Sequence, residues 1–398
     1  MCLWSLAGAR AQAAGASISS ACARPGADAA HQSRGGASFA WTTQAAAQDS
    51  PAAFSMAVWG DSLTSASHFI DPVLQAYGIG KNDARPSFIQ AAMKVPGLHL
   101  PLKAHCASKG WKLAYAYKEK NGAAGFSRGL VSMRSDTPGD TLFLDFRSPS
   151  AATRLKGVTV LYDKHRPDSS LVLAVSVDGG QEDYISLRES TGTSLHIKPD
   201  APMSTLKLRL VSGQVTLHGF EPRYHDAPGA IVDALSLPGA TLRGWSNAGE
   251  RYFPKGQGPD YRLILVQYGT NEGAGRFQRA EYLAYLRNNL ARLRSFYPQA
   301  RCILVGPPDR GVVGSVGPPA SLKYAAIHAQ IALAQRQVGS EYRCEFWDWQ
   351  AAMGGPGAAA RWAGMQPPLM QRDLTHLSAK GYEASGRMFA KAFPLKQQ

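Results

Sequence analysis

The chain has 398 residues, 44% of them hydrophobic, which supports ordinary globular cores and leaves room for about two domains. Its formal net charge of +14 and pI near 9.6 suit acidic polymers of several kinds, including cell-wall polymers, membrane headgroups and nucleic acids. No Lys/Arg run of five or more, no nucleic-acid motif and no apolar run of the ~18–20 residues needed for a membrane span occurs, so neither a nucleic-acid partner nor a transmembrane segment is expected.

Residues 1–50 are rich in Ala, Gly and Ser with little apolar periodicity, and read as a disordered segment or a processed leader. The leader reading has thin support, because no Lys or Arg precedes the short apolar Cys2-Leu3-Trp4-Ser5-Leu6. Ser19-Ser20-Ala21-Cys22 only faintly resembles a lipoprotein cleavage site.

Phe54-Ser55-Met56-Ala57-Val58-Trp59 is an apolar run of the length of a buried strand, and it ends in Gly60-Asp61-Ser62-Leu63. A helix is predicted around His68–Tyr77. From about Phe126 to Glu221 the pattern changes to period two: Leu142, Leu144 and Phe146 alternate with Phe143 and Asp145, and Val158, Val160 and Tyr162 alternate with Thr159 and Leu161. Leu171–Val177 and Tyr184–Arg188 flank Asp178-Gly179-Gly180, a hairpin signal. Leu206–Leu210 turns at Val211-Ser212-Gly213-Gln214 into Val215-Thr216-Leu217. Short strands with regular turns predict a β-sandwich.

Beyond this region strand and helix alternate. The strand Arg262–Gln267 leads through Tyr268-Gly269-Thr270-Asn271-Glu272 to a helix near Ala280–Tyr297, with Leu283, Leu286, Leu290, Leu293 and Tyr297 on one face. Arg301–Val305, a helix over Leu322–Gln337, a strand at Glu345–Trp349 and a last helix from near Ser378 follow. Such alternation predicts a parallel sheet with helices on both faces. Ser62 and Asn271 would then lie beyond the C-terminal ends of their strands, where open α/β sheets place their sites.

The five cysteines, Cys2, Cys22, Cys106, Cys302 and Cys344, are odd in number and form no C-x-x-C pair, so no zinc site is expected. Cys302 and Cys344 lie in apolar strand-like stretches and are read as buried thiols, with one disulfide left open. His68, His99, His105, His165, His196, His218, His225 and His328 show no metal-ligand spacing.

Three fragments carry the chemistry. A serine hydroxyl is a poor nucleophile until a base within hydrogen-bond reach takes its proton. Ser62 is the candidate nucleophile and His376 the base, with Asp373, three residues upstream in Asp373-Leu374-Thr375-His376, orienting the imidazole. The segment after Ser62 excludes the G-x-S-x-G elbow of the α/β-hydrolases, because Thr64 stands where that motif has its second glycine.

The order Gly-Asp-Ser-Leu, Gly-Thr-Asn-Glu, Asp-x-x-His resembles the SGNH, or GDSL, hydrolases. The resemblance implies an oxyanion hole made by the Ser62 amide, a glycine amide and the Asn271 side chain. Gly239 in Leu237-Pro238-Gly239-Ala240 is the chosen glycine, with Gly244 and Gly249 as the other candidates. It also implies an SGNH-type three-layer α/β/α domain with a parallel sheet and no metal or organic cofactor. A minimal domain of this type places the serine and glycine blocks a few dozen residues apart, whereas 62 and 239 are separated by a strand-rich stretch. An interruption there by a carbohydrate-binding-module-like β-sandwich resembles the bacterial peptidoglycan O-acetylesterases.

The expected organisation is therefore a leader or disordered segment at 1–50, a discontinuous hydrolase domain at 51–105 and 225–398, and an inserted sandwich at 106–224. The expected function is that of a serine esterase removing O-acetyl groups from a cell-wall glycan, preferably peptidoglycan, as a monomer in the periplasm or cell envelope, with a cytoplasmic location left open. The alternatives are an O-acetyltransferase, an esterase for another acetylated polysaccharide, a broad-specificity lipase or thioesterase, and a glycan-binding protein without activity. Trp111, Tyr115, Tyr117, Tyr162 and Tyr184 are candidates either for sugar stacking or for core packing.

Overall fold

The computed structural model describes residues 38–44, 52–80, 82–120, 125–147, 153–164, 169–188, 190, 193–253, 260–314 and 322–395. Six strands form one parallel sheet, in the order Cys344–Trp347, Arg301–Val305, Leu263–Gln267, Phe54–Gly60, Ala230–Ala234, Ala84–Arg85. Its central strands are mostly apolar because both faces are covered. Successive side chains point to opposite faces. Met56, Val58, Leu265, Ile303 and Val305 pack with Phe69, Val73, Trp349 and Phe389 on one side. Ala57, Trp59, Ile264, Val266 and Leu304 pack with Leu286, Leu290, Ile331 and Val338 on the other.

The helices follow from this division. Ser67–Ala76 and Ala379–Ala392 cover the first face; Arg279–Phe296 and Lys323–Glu341 cover the second. Ser378 caps the last helix, its Oγ accepting a hydrogen bond from the Gly381 amide. The result is the three-layer α/β/α arrangement expected from the alternation.

Cys302 and Cys344 are not free thiols. They face each other in register on neighbouring parallel strands, with Cα atoms 4.5 Å apart, and are joined in a disulfide. The sequence separation of 42 residues hid a lateral pairing that only the strand order creates.

Apart from Phe39–Thr42, the strands of two antiparallel sheets lie between the second and third strands to enter the parallel sheet. One contains Phe39–Thr42, Ser194–Pro199, Leu155–Lys164, Val215–Tyr224, Val131–Ser135 and Lys112–Tyr115 in that order, with Ile89–Gln90 also paired to Val215–Tyr224. The other contains Asp183–Ser186, Val172–Val177, Thr205–Ser212, Thr141–Asp145 and Ala104–Ala107. Val158, Val160, Tyr162, Leu195 and Leu217 from the first sheet, and Leu142, Leu144, Leu173, Val175 and Leu208 from the second, are all buried in one core.

Three details differ from the sequence reading. Phe39–Thr42, inside the segment expected to be disordered or a leader, is a strand paired with Ser194–Pro199; its partner lies more than 150 residues away, so no local pattern marks it. The remainder of the expected leader, residues 1–37 and 45–50, lies outside the described residues. Strands Ile89–Gln90 and Ala104–Ala107 join the antiparallel sheets although the boundary was expected after residue 105. The turn at Val211–Gln214 does not make a hairpin: the strand before it belongs to one sheet and the strand after it to the other. The Asp178-Gly179 signal does make one, with φ of +49° and +73° at these residues and Val175 opposite Asp183.

The two parts are joined by buried polar contacts. Asp233 on the parallel sheet accepts from the Ser87 and Phe88 amides at 2.7 and 3.0 Å and from the Tyr261 hydroxyl. Arg128 of the insertion donates to the Ser87 carbonyl at 3.3 Å, and its own carbonyl accepts from the Trp59 indole at 2.8 Å. The insertion thus holds Trp59, three residues before Ser62.

Candidate active site

Three neighbouring strands, Leu263–Gln267, Phe54–Gly60 and Ala230–Ala234, point their C-terminal ends at one place. Ser62 follows the middle strand, Asn271 one neighbour and Gly239 the other. The chain turns sharply after Phe54–Gly60. Gly60 allows this, since a Cβ there would lie 2.2 Å from Thr64 Oγ1 and 2.8 Å from the Gln267 carbonyl.

His376 reaches Ser62 from the segment before the last helix. Ser62 Oγ and His376 Nε2 are 2.9 Å apart, and His376 Nδ1 and Asp373 Oδ2 are 2.7 Å apart. Asp373 is not a helix cap. Its other oxygen, Oδ1, accepts from the backbone amides of Thr375 and His376 at 3.0 and 2.9 Å, closing a tight local turn. Leu374 adopts φ +52° in this turn, and its carbonyl accepts from the Gly311 amide at 2.9 Å. Burial alone would raise the Asp373 carboxyl, but the hydrogen bonds from the His376 ring and the two amides outweigh it and hold the group below its ordinary value. It is therefore a carboxylate at neutral pH, able to stabilise an imidazolium.

Gly239 occupies position i+2 of a turn in which the Ala240 amide donates to the Leu237 carbonyl at 3.0 Å. With Pro238 at i+1 and φ +77° at Gly239, this is a type II turn. The Asn271 side chain donates to the Ala240 carbonyl at 2.9 Å, which brings it beside that turn. The alternatives to Gly239 are engaged elsewhere: the Gly244 amide donates to Thr241 O and the Gly249 amide to Phe126 O. Ser62, Asp373, His376, Asn271 and Gly239 are all brought to this end of the sheet.

Residues to which the sequence assigned no catalytic role complete the surroundings. Glu272 uses one carboxylate oxygen to accept from the Leu242 amide and the other to accept from the Gly269 amide, both at 3.0 Å, while the Tyr285 hydroxyl donates to it at 3.1 Å. It therefore ties the segment after Gly239 to the segment before Asn271. Burial raises its carboxyl above the ordinary value. Asp61 is fully buried and accepts from the Leu63 amide at 2.9 Å and the Gln267 amide group at 3.3 Å. Burial, countered in part by the Leu63 hydrogen bond, pushes it up to about 7. Tyr117 of the inserted domain donates to the Pro238 carbonyl at 3.2 Å.

The remaining aromatic candidates separate by burial. Trp111 and Tyr162 are core residues, whereas Tyr184 is 55% exposed. Among the described residues no group of three or more His, Cys, Asp or Glu side chains could hold a metal ion, and no helix is long and apolar enough to cross a membrane.

Fold and site together define the class: a three-layer α/β/α hydrolase with a serine–imidazole–carboxylate relay at the C-terminal edge of its parallel sheet. A model described as the GDSL-like lipase/acylhydrolase family matches residues 210–384. That span holds Gly239, Asn271, Asp373 and His376; Ser62 lies before it, on the other side of the inserted domain. The structure is similar to one described as a peptidoglycan O-acetylesterase in action, at 19% identity and a TM-score of 0.62, covering 86% of this chain and 90% of that one. A lipase/acylhydrolase from Enterococcus faecalis (20% identity, TM-score 0.30, 42% and 80% covered) also matches. So does a carbohydrate esterase family 2 enzyme with a carbohydrate-binding domain from Corynascus thermopiles (14%, 0.30, 71% and 98%). No curated protein sequence matches the chain.

Proposed function

We propose that this ester hydrolase removes O-acetyl groups from a bacterial cell-wall glycan, with peptidoglycan the preferred substrate. The observation that carries the reading is the continuous relay from Ser62 Oγ to His376 Nε2 and from His376 Nδ1 to Asp373, at 2.9 and 2.7 Å. In this reading Ser62 Oγ attacks the acetyl carbonyl while His376 takes its proton, and Asp373 stabilises the imidazolium. The Ser62 and Gly239 amides and the Asn271 side chain receive the oxyanion. His376 then returns the proton to the departing sugar oxygen. Water, deprotonated by His376, attacks the acetyl-serine, and acetate leaves as Ser62 regains its hydrogen.

Support for the substrate is of three kinds. The inserted sandwich and the whole-chain likeness to a structure described as a peptidoglycan O-acetylesterase point to an acetylated wall polymer. The net charge of +14 suits an acidic polymer. The Cys302–Cys344 disulfide favours an oxidising compartment such as the periplasm or cell envelope.

The test is acetate release from O-acetylated peptidoglycan, beside O-acetylated xylan, by the native chain and Ser62→Ala. Release from peptidoglycan that vanishes in the variant is the expected result. Cleavage of a small aryl acetate with no release from either polymer would keep the hydrolase and reject the substrate. Release that persists in Ser62→Ala would reject the site. Acetyl appearing on an added sugar, in place of free acetate, would make the protein a transferase.

A further inference from the structure

We propose that Tyr117, a residue of the inserted domain, is a positioning residue for the oxyanion hole: its hydroxyl fixes the Pro238–Gly239 peptide so that the Gly239 amide points at the reacting carbonyl. The inference rests on the esterase reading above and adds to it a task for the insertion other than gripping substrate.

In the Leu237–Ala240 turn, type I and type II geometries differ mainly by a flip of the central peptide, here Pro238–Gly239. The φ of +77° at Gly239 identifies type II. A trans peptide is planar, and its C=O and N–H point in opposite directions. Whatever anchors the Pro238 carbonyl therefore aims the Gly239 N–H. The anchor is the Tyr117 hydroxyl, which donates to Pro238 O at 3.2 Å. Donation into the carbonyl also polarises the same peptide, strengthening its N–H as a donor.

Tyr117 is itself held firmly. The Ala116 amide donates to the Leu130 carbonyl at 3.0 Å, and the Asn247 side chain donates to the Ala116 carbonyl at 2.8 Å. Its ring lies against Tyr115, with centroids 5.5 Å apart. A Cβ at position 239 would come within 3.3 Å of the Tyr117 oxygen, so phenol and glycine fit as a pair. Burial, with Tyr115 beside it, pushes the phenol up to about 12, and it stays a donor at neutral pH. Asn271 of the hydrolase domain holds the Ala240 carbonyl of the same turn. The turn is thus clamped between the hydrolase and its insertion.

Tyr117→Phe keeps the ring and removes only the donor. Because the Gly239 amide stays present but less well aimed, kcat should fall on the order of tenfold, less than the ~10²–10³-fold of losing a donor outright. The fall should be equal on a small aryl acetate and on O-acetylated peptidoglycan, with KM within about twofold. Inactivation by an aryl phosphonate, which forms a tetrahedral adduct on the serine, should slow by a similar factor. Rates are normalised to the burst of aryl leaving group, so that only folded sites count. A kcat within twofold of the native chain on both substrates would overturn the proposal. So would a loss confined to peptidoglycan, which would make Tyr117 a sugar contact. Ser62→Ala and Asn271→Ala run in parallel separate the two levels: if they retain activity the esterase site is wrong, whereas if they lose it and Tyr117→Phe does not, only this inference fails.

Discussion

The parallel-sheet domain and the inserted sandwich are both built on strands yet do opposite things with them. In the parallel sheet, three adjacent strands end at one edge, and each is followed by a loop that carries a polar group to the same point. In the sandwich the antiparallel strands bury their inner side chains in a common core, and Tyr117 is the residue that hydrogen-bonds the turn carrying Gly239. A parallel arrangement concentrates strand ends, and so concentrates chemistry; an antiparallel one distributes its turns to both ends. Loss of side chains in the first domain should therefore remove the reaction and leave the fold, while loss in the second should alter it by degrees.

The largest expected effect is Ser62→Ala, which should lower kcat on an aryl acetate by on the order of 10⁴–10⁶-fold with an unchanged thermal unfolding midpoint. Asn271→Ala should cost ~10²–10³-fold in kcat with KM little changed, read by steady-state kinetics on the same ester. A KM effect without a kcat effect would assign Asn271 to substrate binding and weaken the contrast between the domains.

The Cys302–Cys344 disulfide belongs to the catalytic domain but lies on its outer strands. Replacing both cysteines by serine should lower stability by about 2–4 kcal/mol, measured by denaturant unfolding, with kcat preserved. A loss of kcat would mean that the sheet edge transmits strain to the site.

Asp61 gives a pH test. Burial raises its folded pKa to about 7 from 3.8, so the folded state binds the proton more tightly than the unfolded chain. Its contribution to stability is fully present below pH ~4 and is lost as the pH rises through about 7. The unfolding free energy of the native chain, compared with Asp61→Asn over this window, should therefore decline with rising pH relative to the variant. A flat difference would show that the group titrates normally.

The smallest effect is expected at Tyr184, which is exposed on the sandwich and accepts a hydrogen bond from Arg209. Tyr184→Ala should change stability by no more than ~0.5 kcal/mol and leave aryl acetate hydrolysis as it was. Any change confined to polymer binding would mark this face as a glycan platform and sharpen the division of labour.

The sequence by itself determined a good deal. Period-two and continuous apolar patterns separated the sandwich from the parallel sheet, because alternate burial of side chains is written locally. The serine, asparagine and Asp-x-x-His fragments were legible because each sits at the end of an apolar run or beside a helix start. What the sequence did not carry were contacts across distance. The pairing of Phe39–Thr42 with Ser194–Pro199, the Cys302–Cys344 bridge and the clamp of Glu272 on the Leu242 and Gly269 amides depend on which elements become neighbours. Tyr117 is the sharpest case. It reads as one more aromatic in a strand-rich segment, and only the docking of the insertion against the Gly239 turn, more than a hundred residues away, gives its hydroxyl a carbonyl to hold. Side-chain periodicity is a property of neighbouring residues, whereas the orientation of a peptide plane is decided by what packs against it.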